Sequence, residues 1–383
     1  FEAFQRNAVL GLLVVVVVVW VAARLVPSLA TWRGRRLVVG RCRRLTHWEF
    51  WPWWIVYLPV AAWVVLLAIR HRSLSLFTLA NPGMPAGGFV GESKGDLLAQ
   101  MPKDAVPAWC RLEQDAPFEE KRDAVRSFLE RPEVDLPLVL KPDSGERGFE
   151  VEVTRTPEAV AAYLRRSPRR LLVQEWIGGE EFGVFYVRRP GTERGRVTSV
   201  TRKVPPTVIG DGHSTLDHLI LSDERAVCYV HAFLARHADR AQTVPEDGEV
   251  VPLGDLGTHA RGAQFLDGND LSTPDLEETI ERIARSVDGF YFGRFDLRAP
   301  SAAHLARGEG IRVLELNGVT SEEAHIYDPR HNVFYAWRTL MRQWSTAFAI
   351  GSANRHRGLR PAGTRAVLGE LWRYRQRTRQ SSP

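Results

Sequence analysis

Residues 312–318 read RVLELNG, an apolar strand that carries Glu315 and Asn317 two positions apart. Side chains alternate across a strand, so residues i and i+2 share a face. The spacing predicts Glu315 and Asn317 on one face, with Leu314 and Leu316 in the opposite layer. A surface strand would satisfy the same pattern. The company this strand keeps in the rest of the chain decides between a solvated face and a site.

The nearest companion is RFDL at 294–297. Alternation puts Arg294 and Asp296 on one face, and if the two strands are neighbours, Asp296, Glu315 and Asn317 converge. Three oxygen ligands of this kind suit Mg²⁺, which takes one or two carboxylates together with phosphates and water. Further upstream, LPLVLKPDSGERGFEVEV (136–153) is a strand ending in Lys141, a loop with Gly145 and Gly148, and a second strand. A glycine-rich hairpin can approach a phosphate closely, and a strand-end lysine adds a point charge for the same anion. An ordinary hairpin with a solvated lysine has the same sequence pattern. LLVQEWIGGEEFGVFYVR (171–188) joins two strands through two glycines and two acids. Its backbone edge at Gln174–Ile177 could meet an adenine and a following carboxylate a ribose, or Glu180 and Glu181 could cap a solvated turn.

Composition bounds the rest. The chain has 383 residues, 44% of them hydrophobic and 25% charged, enough for two or three units. Net charge is +6, and the excess is arginine, since there are only five lysines: Lys94, Lys103, Lys121, Lys141 and Lys203. Such a balance suits anionic lipid, nucleic acid or phosphate substrates. Cys42, Cys110 and Cys228 have no metal-site or disulfide spacing.

Two runs, 8–26 and 51–69, are almost wholly apolar, and about 20 such residues cross a bilayer. Tryptophans at 48, 51, 53 and 54 suit a membrane interface, and Arg33, Arg35, Arg36, Arg41, Arg43 and Arg44 form an Arg-rich loop between the runs that belongs in the cytoplasm. Two full spans would then send the remainder outside, away from ATP. Pro52 and Pro59 weaken the second run as a straight helix, so it is expected to lie in the interface or re-enter. NPGMPAGGFVGESKG (81–95) reads as a Gly/Pro-rich linker. Its end lacks the Gly-Lys-Ser/Thr of a P-loop. Helices are expected at 118–130, 157–166, 332–350 and 364–377. Strands are expected at 136–141, 149–153, 171–175, 182–188, 290–298 and 311–317. In VIGDGHSTLDHLI (208–220), Ser214 or Thr215 is expected to cap a helix. The basic segment 365–380 would lie on anionic lipid or form a solvated terminal helix.

Taken in order, the strand-lysine-glycine loop, the hinge with its acids, the basic strand and D…E-x-N resemble the ATP-grasp superfamily. The likeness is to its carboxylate–amine ligases, such as D-alanine–D-alanine ligase, glutathione synthetase and cyanophycin synthetase. Segments 208–220 and 258–270 are similar to the cyanophycin synthetase type. The resemblance implies an α+β fold in which two α+β subdomains sandwich ATP, preceded here by two apolar membrane-associated helices. The expected ranges are 1–72 for the membrane-anchoring region, 73–100 for the linker, 101–331 for the catalytic domain and 332–383 for C-terminal helices with a basic tail.

The resemblance also implies roles. Lys141 and Lys203 would grip the ATP phosphates beside Ser144, Gly145 and Gly148. Gln174, Glu175 and Ile177 would line the adenine, and Glu181 would hold ribose. Asp296, Glu315 and Asn317 would bind one or two Mg²⁺, with Mn²⁺ as a substitute. Arg294, with Lys203, would stabilise an acyl phosphate or the tetrahedral intermediate. The implied protein is an ADP-forming ligase of the bacterial inner membrane, with its catalytic domain facing the cytoplasm. Its partners would be membrane lipid and small-molecule or membrane-linked carboxylates and amines, with a homodimer allowed. Two other classes remain: a silent ATP-binding regulatory or scaffold protein, and an ATP-grasp phosphotransferase. Nucleic acid is excluded as a partner, because the arginines concentrate beside the apolar runs and no nucleic-acid motif is present. The stretch between the second apolar run and Lys141 holds the 81–95 linker in place of the N-terminal α/β domain usual in such ligases, so D-alanine is not assumed as substrate. His325 and Asp328, after the metal strand, could contact substrate or build a turn.

Overall fold

The computed structural model describes residues 11–12, 15–16, 19–20, 29–89, 91–145, 150–254, 257–367, 369 and 372. The chain groups into two compact units. One joins Phe1–Pro52 with Pro205–Asp255, and the other joins Trp53–Val204 with Leu256–Pro383.

The strands are β1 (Trp109–Leu112), β2 (Leu138–Pro142), β3 (Glu152–Thr154), β4 (Leu171–Glu175), β5 (Glu180–Val187) and β6 (Arg196–Val204). After them come β7 (Thr207–Ile209), β8 (Val250–Pro252), β9 (Gln264–Asp267), β10 (Phe292–Ala299) and β11 (Arg312–Asn317). The larger unit holds two antiparallel sheets, ordered β1-β4-β2-β3 and β11-β10-β5-β6-β9. With their covering helices they give the expected α+β class.

Each sheet buries one face by ordinary patterning. On the four-stranded sheet Leu138, Leu140, Leu171 and Val173 pack under Val125, Phe128, Val160 and Tyr163 from helices Phe118–Leu129 and Pro157–Arg166. On the five-stranded sheet Phe182, Val184, Phe295 and Leu297 pack on Ile280 and Ile283 of helix Pro274–Ser286. The second face of this sheet changes character along its length. At one end Phe185, Val187 and Phe292 join Phe77 and Phe348 in another apolar cluster. Farther along the same face of β10 come Arg294 and Asp296, and opposite them on β5 stands Gly183. The fold thus closes apolar layers around a charged strip between the sheets.

Residues 73–100, read from composition as a linker, are for the most part packed. Leu76, Leu79, Ala80 and Asn81 are buried. Gly88, at φ +73°, lies so near β11's exit that a Cβ there would sit 2.6 Å from the Gly318 Cα. Asn81 is the clamp. Its Nδ2 donates to the Gly87 and Phe292 carbonyls at 3.1 and 2.7 Å, and its Oδ1 accepts from the Tyr291 and Phe292 amides, both at 2.9 Å.

Among the described residues one helix, Trp53–Arg70, is long and apolar enough to cross a membrane. The first apolar run, 8–26, and the basic segment 365–380 lie mostly outside the described residues. Contrary to expectation, Pro59 does not break the second run. The lost backbone bond is offset by packing along helix Val333–His356. There the Trp63 indole donates to Met341 O and Ser345 Oγ at 3.1 and 2.9 Å, and Trp337 donates to Val56 O at 2.8 Å. The outer face carries exposed Trp54, Leu58, Val65, Leu66 and Ile69.

In the smaller unit the Arg-rich segment forms a helix, Trp32–Thr46, rather than a loop. Thr31 caps it, and Arg36 donates to the Leu221 and Ser222 carbonyls at 2.7 and 2.6 Å. Thr215 begins helix Leu216–Ser222 as expected, but its hydroxyl meets Asp217 Oδ1 at 2.5 Å and makes no bond to the helix backbone.

Asn81→Ala would strand four backbone groups in the core. The expected cost is about 3 kcal/mol or more, read as a fall in urea midpoint at unchanged slope.

Candidate active site between the two sheets

Lys141 and Gln174 stand on the face of the four-stranded sheet opposite its helices. Lys141 Nζ donates to Gln174 Oε1 at 2.9 Å and crosses to the five-stranded sheet, donating to the Leu314 carbonyl at 3.1 Å. That carbonyl lies on β11, the edge strand of its sheet, at a bulge. Asp296 pairs with Glu315, but Leu297 pairs with Val313, leaving Leu314 as the extra residue. The expected alternation therefore fails on one side of the strand: Val313 and Leu316 enter the core, while Leu314 stays half-buried outside it. Glu315 and Asn317 take the expected positions, opposite Asp296 and Arg294 in the register.

A network of charges fills the strip. Asp296 accepts Arg294 Nε at 2.9 Å and Nη2 at 3.1 Å, Lys203 Nζ at 2.9 Å, and Asn317 Nδ2 at 3.0 Å. Lys203 also reaches Glu181 Oε1 at 2.9 Å, and Arg298 lies 3.5 Å from the other Glu181 oxygen. Gly257 passes so close that a Cβ there would lie 2.8 Å from the Glu181 carboxylate. Burial opposes ionisation of Asp296, but the Arg294 and Lys203 charges outweigh it and hold its carboxyl far below the usual range. Burial lowers Lys141 to about 8, helped by the Lys94 charge and opposed by Glu315.

Sequence reasoning missed Lys94. It opens the short helix Lys94–Leu98 and is buried, its Nζ 3.2 Å from Glu315 Oε1 and donating to the Gly145 carbonyl. Asp143 places it, accepting from Ser93 Oγ at 2.8 Å and Gly95 N at 2.9 Å. The available signal was the scarcity of lysine in an arginine-rich chain: Lys94, Lys141 and Lys203 all converge here.

Other expected residues are placed as follows. Ser144 and Gly145 follow β2, and Gly148 lies outside the described residues. Glu175 is engaged with Ala108, through its N–H at 2.9 Å and its carboxylate at 3.1 Å, and Arg298 caps the Ile177 carbonyl at 2.6 Å. His325 and Asp328 are almost fully buried. Asp328 accepts from Asp267 N at 2.7 Å and from the Arg330 guanidinium at 2.8 and 2.9 Å, which is the turn reading of that segment.

Five cationic side chains (Lys94, Lys141, Lys203, Arg294 and Arg298) meet three carboxylates (Glu181, Asp296 and Glu315). The excess positive charge suits a polyphosphate. Among the described residues no group of three or more His, Cys, Asp or Glu could enclose a metal. Asp296, Glu315 and the Asn317 amide oxygen are an all-oxygen set of the kind that suits Mg²⁺ sharing its shell with phosphate oxygens and water, but Asp296 already accepts four donors and would take an ion only by giving some of them up.

No protein-family model matches the chain. In sequence it is similar to the cyanophycin synthetase of Trichormus variabilis, 35% identical over 214 residues that cover 50% of this chain and 22% of that protein. It is also similar to the glutathione biosynthesis bifunctional protein GshAB of Streptococcus agalactiae, 22% identical over 224 residues, 52% of this chain and 29% of that protein. The chain thus spans less than a third of the length of the curated relatives it matches. Among solved structures, a bifunctional glutathione synthetase from Pasteurella multocida aligns with 66% of this chain and 35% of its own, at 14% identity and a TM-score of 0.38. The sequence similarity is thus to part of a cyanophycin synthetase and part of a glutathione biosynthesis protein.

Asp296→Ala would leave Lys203 and Arg294 buried without their shared counter-charge and should cost about 3 kcal/mol or more. Glu315→Ala removes a partly exposed carboxylate but leaves the buried Lys94 with only the Gly145 carbonyl, so it should cost less than Asp296→Ala, about 1–2 kcal/mol. Urea unfolding of the two variants side by side checks this order.

Proposed function

We propose that the chain is an ATP-grasp carboxylate–amine ligase that forms an amide through an acyl phosphate while associated with the bacterial inner membrane. The observation that carries the reading is the cation-rich strip between two sheets with Asp296, Glu315 and Asn317 facing one another. The names of the sequence relatives add the class of reaction.

In this reading Lys94, Lys141 and Lys203 bind the ATP phosphates. The Ile177 backbone edge meets adenine, and Glu181, released from Lys203, accepts the ribose hydroxyls. Asp296, Glu315 and Asn317 hold Mg²⁺, which when bound supplies charge to the phosphoryl oxygens. A substrate carboxylate oxygen attacks the γ-phosphorus and ADP leaves. The lysines spread the charge that develops on the transferred group. Arg294, already oriented by Asp296, steadies the acyl phosphate. An amine nitrogen then attacks its carbonyl carbon, the C–O bond to phosphate breaks, and phosphate leaves with the electron pair and the proton shed by the amine nitrogen.

We further infer that helix Trp53–Arg70 lies in the membrane interface with the catalytic unit on the cytoplasmic side. Its apolar outer face supports this, as does its inner face, which is already used against helix Val333–His356.

Mg²⁺-dependent ATP turnover by detergent-purified protein against pooled amino acids and envelope precursors tests the reading. Substrate-stimulated ADP and phosphate release, lost in Glu315→Ala, together with a product mass equal to amide formation, is the expected result. A product heavier by a phosphoryl group would make the protein a phosphotransferase. ATP binding without turnover would make it a regulatory protein.

A pH dependence follows from Lys141. Its ammonium titrates near pH 8 in the folded protein, below its ordinary 10.5, and an arriving phosphate raises it again. Below about pH 8 the lysine is already charged and ATP affinity is flat. Above it each binding event must take up a proton, so affinity falls by up to about tenfold per pH unit. Calorimetry in buffers of different ionisation enthalpy would register the proton uptake, and Lys141→Arg, charged throughout, should remove it.

A further inference from the structure

Glu322 lies just beyond the charged strip, in the segment that follows β11. Its neighbours in sequence are held fast. Ser321 O accepts from the Gln343 side chain, and Glu323 N donates to Gln343 Oε1 at 3.2 Å. Between these anchors the half-buried Glu322 carboxylate is gripped on both oxygens by phenols. Tyr57 donates to Oε1, and Tyr327 donates to Oε2 at 2.7 Å.

The other acids of this region have cationic or imidazole partners. Glu323 pairs with Arg342 at 2.8 Å, Asp328 with Arg330 at 2.8 Å, and Asp267 with His331 at 2.9 Å. Glu322 has no ion-pair contact among the described residues, and its donors are neutral; the Arg294 charge acts on it from nearby, but that guanidinium is already bound to Asp296. A half-buried carboxylate without a contacting cation has room for one. It has about four acceptor sites, of which the two phenols occupy two. The rest can receive the N–H groups of an incoming cation.

Its position says which cation. Arg294 Nη1 donates to the Glu322 carbonyl at 3.1 Å while Nε and Nη2 hold Asp296. Glu322 is therefore one residue contact from the group to which the ligase reading assigns the acyl phosphate. We propose that Glu322, set by Tyr57 and Tyr327, binds the ammonium of the acceptor amine beside Arg294; one ammonium proton passes to the Glu322 carboxylate, which frees the nitrogen lone pair for attack, and the second, shed as the amide forms, leaves on the phosphate. The inference rests on the ligase reading and names the acceptor class: a primary amine that arrives protonated. Because Tyr57 belongs to the apolar helix Trp53–Arg70, that amine can come from a soluble molecule or from a lipid headgroup.

Hydroxylamine separates the two steps. It is uncharged at neutral pH, traps acyl phosphates as hydroxamates and gains nothing from a carboxylate anchor. Wild type, Glu322→Gln and Tyr327→Phe would be given ATP, Mg²⁺ and pooled carboxylates. The nucleophile would be hydroxylamine, a pool of soluble primary amines, or vesicles containing phosphatidylethanolamine. The expected result for Glu322→Gln is a KM for the amine raised about tenfold or more, with amide formation falling far more than hydroxamate formation. Tyr327→Phe should show the same split in weaker form. The arm that yields amide in wild type identifies the source of the amine. If Glu322→Gln does not purify, Glu322→Asp keeps the charge, and should keep the preference for charged amines with a raised KM. Equal loss of hydroxamate and amide, or loss of neither, would overturn the proposal and leave the ligase reading standing. Absence of hydroxamate in wild type from any carboxylate would overturn the ligase reading itself.

Discussion

A lysine ammonium buried between two sheets is costly unless every proton finds an acceptor. Lys141 is in that position, and much of the site can be read as the answer to it. Gln174 supplies one acceptor from within the four-stranded sheet. The five-stranded sheet supplies another from the Leu314 carbonyl, at the bulge of its edge strand β11. Glu315 adds a nearby negative charge, shared with Lys94. The same bulge returns Glu315 and Asn317 to the polar face and sends Val313 to the core. The apolar layers on the far faces of both sheets hold the two together over a strip that still carries more positive than negative charge.

The second constraint is the way the apolar helix is built into the larger unit. Like a free-standing anchor, Trp53–Arg70 is apolar nearly all round, but it also docks one stripe on helix Val333–His356 through indole hydrogen bonds and sends Tyr57 to Glu322. The packed segment after it, clamped by Asn81 to the start of β10, fixes both the strand that carries Arg294 and the approach of Lys94. Membrane association and chemistry are joined through these contacts in the proposed reading.

Much of the site was legible in the sequence for a simple reason. Alternation needs no knowledge of distant partners, so Arg294 with Asp296 and Glu315 with Asn317 could be paired from spacing alone. Helices Phe118–Leu129 and Pro157–Arg166 were equally clear, because their apolar periods and, for the second, its Thr-Pro start are local signals. Lys94 was not legible. Its segment lacks the end of a P-loop and looked like a linker, and its role depends on Asp143, 49 positions away by residue number. Nor was the continuity of the helix through Pro59, since the compensating contacts come from residues near 340.

By itself, then, the sequence determined the α+β pattern, the order of the charged motifs and the presence of long apolar runs, all of which are set by periods of two and 3.6 residues and by composition. Only the tertiary structure decided which carboxylates are already neutralised, that Leu314 leaves the core, that Lys94 joins the site, and that Glu322 is held by two phenols without a cation. The physical reason is the same each time. Charge compensation and the placing of a bulge depend on groups brought together from distant parts of the chain, and no local pattern encodes their distance.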